Sequence, residues 1–193
     1  MSSSSLVFGI YTQQTSAAGS ARLKAQMWTW LPVLACTMVL AVESTPYLGA
    51  DHTSAPLRRL VEMLCGYGVD AHWASIHHHI RKTGHFMGFG IFSLICFRSF
   101  WLTLQSASFQ LLRQLQAHGL AILATFLLAS ADEFHQSFLP NRSGLFSDVL
   151  LDCCGAVVLC FVLFLGMQAA EGLRQARARA SCRLNPSYAG LVA

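Results

Sequence analysis

Charge is what this chain lacks most. Of its 193 residues only 11% are Asp, Glu, Lys or Arg, against 54% hydrophobic, where a soluble domain carries about 25% charged residues. Too little polar surface remains to cover a water-exposed globule, and the same balance excludes a disordered or collagen-like chain. Paired cysteines are missing as well. None of the seven cysteines forms a CxxC pair, and Cys36, Cys96, Cys153, Cys154 and Cys160 fall inside apolar runs, where a thiol behaves as a small hydrophobe. A disulfide-stapled fold is excluded, and the ligand spacing of a structural zinc site is absent. The chain holds no HExxH, no GxSxG and no Gly-rich phosphate loop, so no metal or cofactor is expected.

The basic residues give a net charge of +4 but are not gathered on one polar element. Arg22 and Lys24 precede the first apolar run, and Arg174, Arg177, Arg179 and Arg183 follow the last. Flanking positive charge orients membrane proteins, so no nucleic-acid partner is expected; the partner is the lipid bilayer.

Four apolar runs predict an all-α membrane protein, a bundle of about four transmembrane helices, with spans near 27–48, 85–104, 118–134 and 149–170. Residues 1–24 read as a disordered cytoplasmic tail, 25–171 as the transmembrane domain and 172–193 as a basic, flexible C-terminal tail. Pro32 is expected in the first turns of span one, where its missing N–H costs little. Between spans one and two the chain turns polar, and Leu57, Leu60, Val61 and Leu64 recur at helical spacing. That pattern predicts an amphipathic segment lying on the membrane surface. With both termini cytoplasmic, seven Lys/Arg fall inside and Arg58, Arg59, Arg81, Lys82 and Arg142 outside, the bias that favours this orientation.

Four spans bring the start of span two, the end of span three and the start of span four to one membrane face. Nearly all the costly polar residues sit there: Lys82 and His85, then Asp132, Glu133 and Gln136, then Arg142 in the loop, then Asp148 and Asp152. Glu133 and Gln136 are three apart, Asp148 and Asp152 four, Lys82 and His85 three, so each pair shares a helix face. Gly155, three beyond Asp152, lets a neighbouring helix approach. Interfacial ionisable groups mark a functional site by default. A purely structural account stands beside it: Ser147 or Asp148 caps span four, Arg142 neutralises Glu133 or Asp148, and the rest is glue between helices. His77, His78 and His79 read as a solvated interfacial stretch, because neighbours on a helix diverge; His118 and His135 read as interfacial.

The stretch from Asp132 to Gly155 resembles the VanZ-like family of membrane proteins, whose pattern runs Glu, Gln, Arg, Asp, Asn or Asp, Gly. Glu133, Gln136, Arg142, Asp148, Asp152 and Gly155 fill those places in order. R-K-T-G-H-F at 81–86 is similar to the family's Lys-x-x-His-Phe opening of a span, and the matches cover about residues 80–165. Three positions depart. Phe89 stands where relatives often carry an aromatic hydroxyl, Gly88 where some carry Glu, and Leu159 where a further glycine often follows, which implies slightly wider packing of span four.

The resemblance implies a multi-pass protein of a bacterial plasma membrane. The family's founding member is linked to teicoplanin resistance, beside genes that remodel peptidoglycan precursors. Together these lead to an expected cell-envelope protein that binds a polar or lipid-linked component, such as a lipid-linked cell-wall precursor, at one face. Lys82 and Arg142 would contact an anion, and the carboxylates would orient them and His85. The alternatives are a membrane-embedded enzyme acting on such a lipid, with His85 or Glu133 as general base and Asp148 and Asp152 holding a metal, and a structural scaffold.

Overall fold

A computed structural model describes residues 3–48, 50–66, 70–104, 109–139 and 144–184. Five α-helices follow one another: α1 Ser3–Glu43, α2 Ala50–Cys65, α3 Trp73–Thr103, α4 Gln110–Gln136 and α5 Phe146–Leu184. Single 3-10 turns occupy Pro46–Leu48 and Asp70–His72, and no strand occurs among the described residues. Four helices are long and apolar enough to cross a membrane: Leu23–Glu43, Trp73–Thr103, Gln110–Gln136 and Phe146–Ser181. The molecule is an all-α membrane bundle.

The helices overrun the apolar runs that announced them. Helix α3 starts at Trp73 rather than at His85, because helical hydrogen bonding continues through the polar interface where hydropathy no longer registers a span. His77, His78 and His79 therefore belong to α3; His77 is buried while the other two are exposed. Helix α1 begins at Ser3 and α5 runs to Leu184, so both end segments, read as tails, are helical where described. A preformed span supplies the nucleus, and Ala, Leu, Gln and Arg extend it at little cost. At 39 residues, α5 is about 58 Å long. That exceeds a hydrocarbon core of about 30 Å, so its Arg174, Arg177 and Arg179 stand beyond the core.

Stops are equally local. Span one ends at Glu43 rather than near residue 48, where Thr45-Pro46 disfavours continued helix. Gly66 closes α2 at φ +85°, a conformation that L side chains rarely adopt, with its N–H donating to the Glu62 carbonyl at 3.0 Å. Pro32 is not in a first turn but deep inside α1, so it removes one helical hydrogen bond. Beside the turn it weakens, the Ser99 hydroxyl of α3 donates to the Thr29 carbonyl at 2.9 Å and ties α1 to α3.

Helices α3, α4 and α5 form the packed unit, and α1 leans mainly on α3. The core is built from Phe89, Phe92 and Phe97 of α3 with small residues, Ala117, Ala121 and Ala129 of α4, and Ala156 of α5 is fully buried too; small residues allow close backbone approach. The tightest crossing is at Gly155, where an added Cβ would run into the Phe86 carbonyl. One turn on, a Cβ at Gly90 would lie 2.6 Å from Leu159 Cδ1. The bulk of Leu159 is thus taken up by the missing side chain of Gly90. Trp30 and Phe100 pack edge to face at 5.0 Å and fasten α1.

Candidate functional site

The start of α3, the end of α4 and the start of α5 meet at one end of the bundle. Asp148 lies in the first turn of α5, where the helix dipole favours a carboxylate. It pairs with Lys82 Nζ across to α3. Neither Ser147 nor Asp148 precedes the helix as a cap: α5 begins at Phe146, and Ser147 Oγ reaches Asp148 Oδ1 at 3.3 Å. Glu133, buried, accepts the Leu145 N–H at 2.9 Å and so satisfies a backbone donor beside the start of α5. A Cβ at Gly144 would strike the Glu133 carbonyl, so the hairpin closes only with glycine there. Gln136 turns its amide to Asp132 Oδ2 at 2.7 Å rather than to Glu133.

One turn deeper in α5 lies Asp152, fully buried. Neither of its carboxylate oxygens has a hydrogen-bond partner. His85 Nδ1 lies 3.8 Å from Oδ1, too far for a direct hydrogen bond. The His85 ring is a quarter exposed and stacks on Phe89 at 6.1 Å. Lys82, His85, Glu133, Gln136, Asp148 and Asp152 thus gather at one end, with Gly155 beneath them. Arg142 lies outside the described residues.

Two cavities open at this end. The larger, about 620 Å³, lies between the end of α1, α2 and the start of α3 and includes His85 in its wall. Its polar lining also takes in Glu43, His52, His77 and Arg81, which the sequence reading did not assign to a site. The signal was present, since His77, Arg81 and His85 are spaced by four and share one face of α3. Helix α2 roofs this cavity. It is held by Trp73 Nε1 donating to Ser54 Oγ at 2.7 Å and by Thr53 Oγ1 lying 3.4 Å from His77 Nε2. The second cavity, about 330 Å³, is bordered by Ser44, Phe89, Asp132 and His135, with Ser44 Oγ 3.3 Å from His135 Nδ1.

The opposite end of the bundle holds a different polar group. His118, read as interfacial, is buried within the bundle between Phe97, at 4.2 Å, and Phe164, at 5.8 Å. Its Nδ1–H donates to the Gln114 carbonyl at 2.8 Å. Gln114 and Gln168 join α4 to α5 at 2.8 Å, and Arg113 lies over the Trp101 ring at 4.0 Å.

Chemically, the first end offers a quarter-exposed imidazole backed by a buried carboxylate, beside a cavity with a polar rim. Such an imidazole can donate to an anion or carry a proton. Asp148 and Asp152 do not form a metal centre: among the described residues no group of three or more His, Cys, Asp or Glu could hold an ion.

The profile of the VanZ/LLP1 family matches residues 23–167. No curated protein matches, and neither does any solved structure. The matched segment spans four apolar helices and the whole polar end. The chain belongs to the VanZ/LLP1 family.

Proposed function

We propose that this VanZ/LLP1 membrane protein binds the polar head of a lipid-linked cell-envelope component where Lys82, His85, Glu133, Gln136, Asp148 and Asp152 converge. In this reading the membrane is a bacterial plasma membrane, both termini are cytoplasmic and the polar end faces outward. There it meets cell-wall precursors, and occupancy of the site underlies tolerance to glycopeptides such as teicoplanin.

Asp152 carries the reading. A network that only held helices together would pair its buried groups, as the Glu133–Leu145 bond does. A buried carboxylate with neither oxygen bonded is a standing cost, more than the ~1–3 kcal/mol of a neutral orphan. It does no structural work that a neutral side chain would not do better. Its place 3.8 Å behind His85 gives it one, favouring the protonated form of the ring that lines the cavity. The sign of the ligand follows from the neighbouring pair. Asp148 is neutralised by Lys82, so an anionic head approaches His85 without meeting that carboxylate.

The test is teicoplanin susceptibility in cells carrying wild type, Asp152→Asn or Glu133→Gln at matched membrane levels. Wild type is expected to protect and Asp152→Asn to abolish protection while remaining folded. Equal protection by wild type and Asp152→Asn would overturn the reading. One contact favours a second reading, a scaffold: the Glu133–Leu145 bond fastens the α4–α5 hairpin. That reading requires Glu133→Gln to lower stability and to change no phenotype beyond abundance.

A further inference from the structure

We infer that the smaller cavity, between the end of α1, α3 and the end of α4, is the seat of an amine-headed amphiphile that enters from the surrounding lipid leaflet. This goes beyond the proposed function and does not rest on it. The residues are different: Ser44 and Thr45 just after α1, Asp132 and His135 of α4, and the apolar wall one turn deeper.

The polar rim of this cavity is rich in hydrogen-bond acceptors. Asp132 Oδ2 accepts the Gln136 amide at 2.7 Å, and Oδ1 takes no hydrogen bond. The Thr45 hydroxyl spends its hydrogen on the Val42 carbonyl at 2.6 Å, so towards a ligand its oxygen can only accept. Ser44 Oγ and His135 Nδ1 share one hydrogen at 3.3 Å, and in either tautomer of the ring that pair keeps an acceptor to offer. No lysine or arginine is among the described residues of the wall. An ammonium brings three N–H donors and no acceptor, which matches this set. Its bond to the carboxylate is charge-assisted and so among the stronger kinds. A phosphate or carboxylate head would set acceptor against acceptor beside a like charge, and a neutral alcohol would donate only once.

The layer beneath that rim takes a chain. Leu40 comes one helical turn before Ser44 and Leu128 one turn before Asp132, and with Phe89 of α3 they make the apolar part of the wall. Helices α1 and α4 end at the same face, so both leucines lie on the bilayer side of the polar groups. At about 330 Å³ the space is at the small end of the usual range of ligand sites, about 300–1,000 Å³. Its mouth is marked by Ala41 and Ala131, wall residues that are both exposed. Around them Met38 and Val42 of α1 and Leu127 of α4 are exposed as well, as lipid-facing side chains of a span are. Helices α1 and α4 barely meet, so the opening between the two alanines gives onto lipid rather than onto packed protein. A water-soluble amine would leave Leu40, Phe89 and Leu128 uncovered, whereas an amphiphile covers them while its ammonium reaches Asp132.

The experiment is retention of dodecylamine by the purified full-length protein, read by native mass spectrometry at neutral pH, beside dodecanol and ethylamine. Wild type is expected to hold one dodecylamine, and to bind dodecanol and ethylamine at least about tenfold more weakly. Asp132→Asn removes the charge and keeps the shape, and Ala131→Trp closes the mouth. Each is expected to weaken dodecylamine about tenfold or more. Both variants are first checked for helicity and monodispersity; if Ala131→Trp misfolds, Asp132→Asn alone decides. No retention by wild type overturns the inference outright. Equal binding of dodecanol overturns the amine head, and equal binding of ethylamine overturns the lipid source. Unchanged binding in Asp132→Asn overturns the site, and unchanged binding in a folded Ala131→Trp overturns entry between α1 and α4.

Discussion

The two ends of the bundle solve the same problem in opposite ways. Both carry polar side chains on α4 and α5 that must be accommodated inside a membrane protein. At the His118 end the groups are mostly neutral and matched: Gln114 to Gln168, and the His118 Nδ1–H to a helix carbonyl. His118 Nε2 lacks a partner, but a neutral nitrogen between two phenyl rings costs far less than a charge. At the His85 end the groups are ionisable. Two are matched, by Lys82 to Asp148 and by Leu145 N–H to Glu133, and one carboxylate, Asp152, is left bare. Matched neutral groups hold helices. A buried carboxylate with neither oxygen bonded, behind an imidazole that lines a cavity, is a cost that packing alone does not require. The contrast is testable, because it predicts opposite stability effects for substitutions that look alike on paper.

The largest effect belongs to the floor beneath the ionisable end. In Gly155→Val the new Cβ meets the Phe86 backbone, which cannot swing aside as a side chain would. Overpacking of this kind costs about 3 kcal/mol, and Tm in detergent should fall by about 10 °C. A wild-type Tm would mean that α3 and α5 do not cross at Gly155, and the geometry of the whole site would have to be redrawn.

Asp152→Asn comes next and has the opposite sign. Replacing a bare buried carboxylate with a neutral amide of the same shape should raise stability, by about 1–2 kcal/mol, while removing function. Stability gained where function is lost is the signature of a strained site. A clear drop in Tm would instead place Asp152 among the structural ties, and the difference between the two ends would shrink to one of charge.

Lys82→Met removes the partner of Asp148 in a pair whose side chains are 31% and 25% exposed. Solvent screens such a pair, so the expected loss is about 1 kcal/mol, or about 2–4 °C in Tm. Asp148→Asn made on top of it should recover part of that loss, because the uncompensated charge is then gone. Thermal unfolding of the two single variants and the double variant measures the coupling directly.

How much of this was legible in the sequence follows from the kind of information each feature needs. The four spans were, since apolar runs of that length have few other uses. The gathering of Lys82, His85, Glu133, Asp148 and Asp152 at one end followed from counting spans. Their partners did not. Glu133 bonds a backbone N–H, which leaves no trace in side-chain spacing, and Gln136 chooses Asp132 over Glu133 for reasons of rotamer and local packing. The start of α3 was missed because hydropathy measures contact with lipid chains rather than helical hydrogen bonding. That error hid the cavity, for with His77 read as part of a solvated interfacial stretch, the face of α3 that His77, Arg81 and His85 share goes unnoticed. The burial of His118 needed knowledge of which side of α4 turns inward, and only the assembled bundle supplies it.

The smallest effect probes the quiet end. Gln168→Leu leaves the Gln114 side chain without its partner on α5, and hydrogen bonds between membrane helices average about 0.6 kcal/mol. A Tm fall of about 1–2 °C is expected. Gln114→Leu made together with Gln168→Leu should cost no more than the single change, because two apolar groups of similar shape leave nothing unsatisfied. If the double variant falls well below the single one, the amides are doing more than matching each other, and the His118 end would carry a function of its own. Recovery in the double variant, set beside the loss of function in Asp152→Asn, would establish that polarity inside this bundle serves two separate purposes.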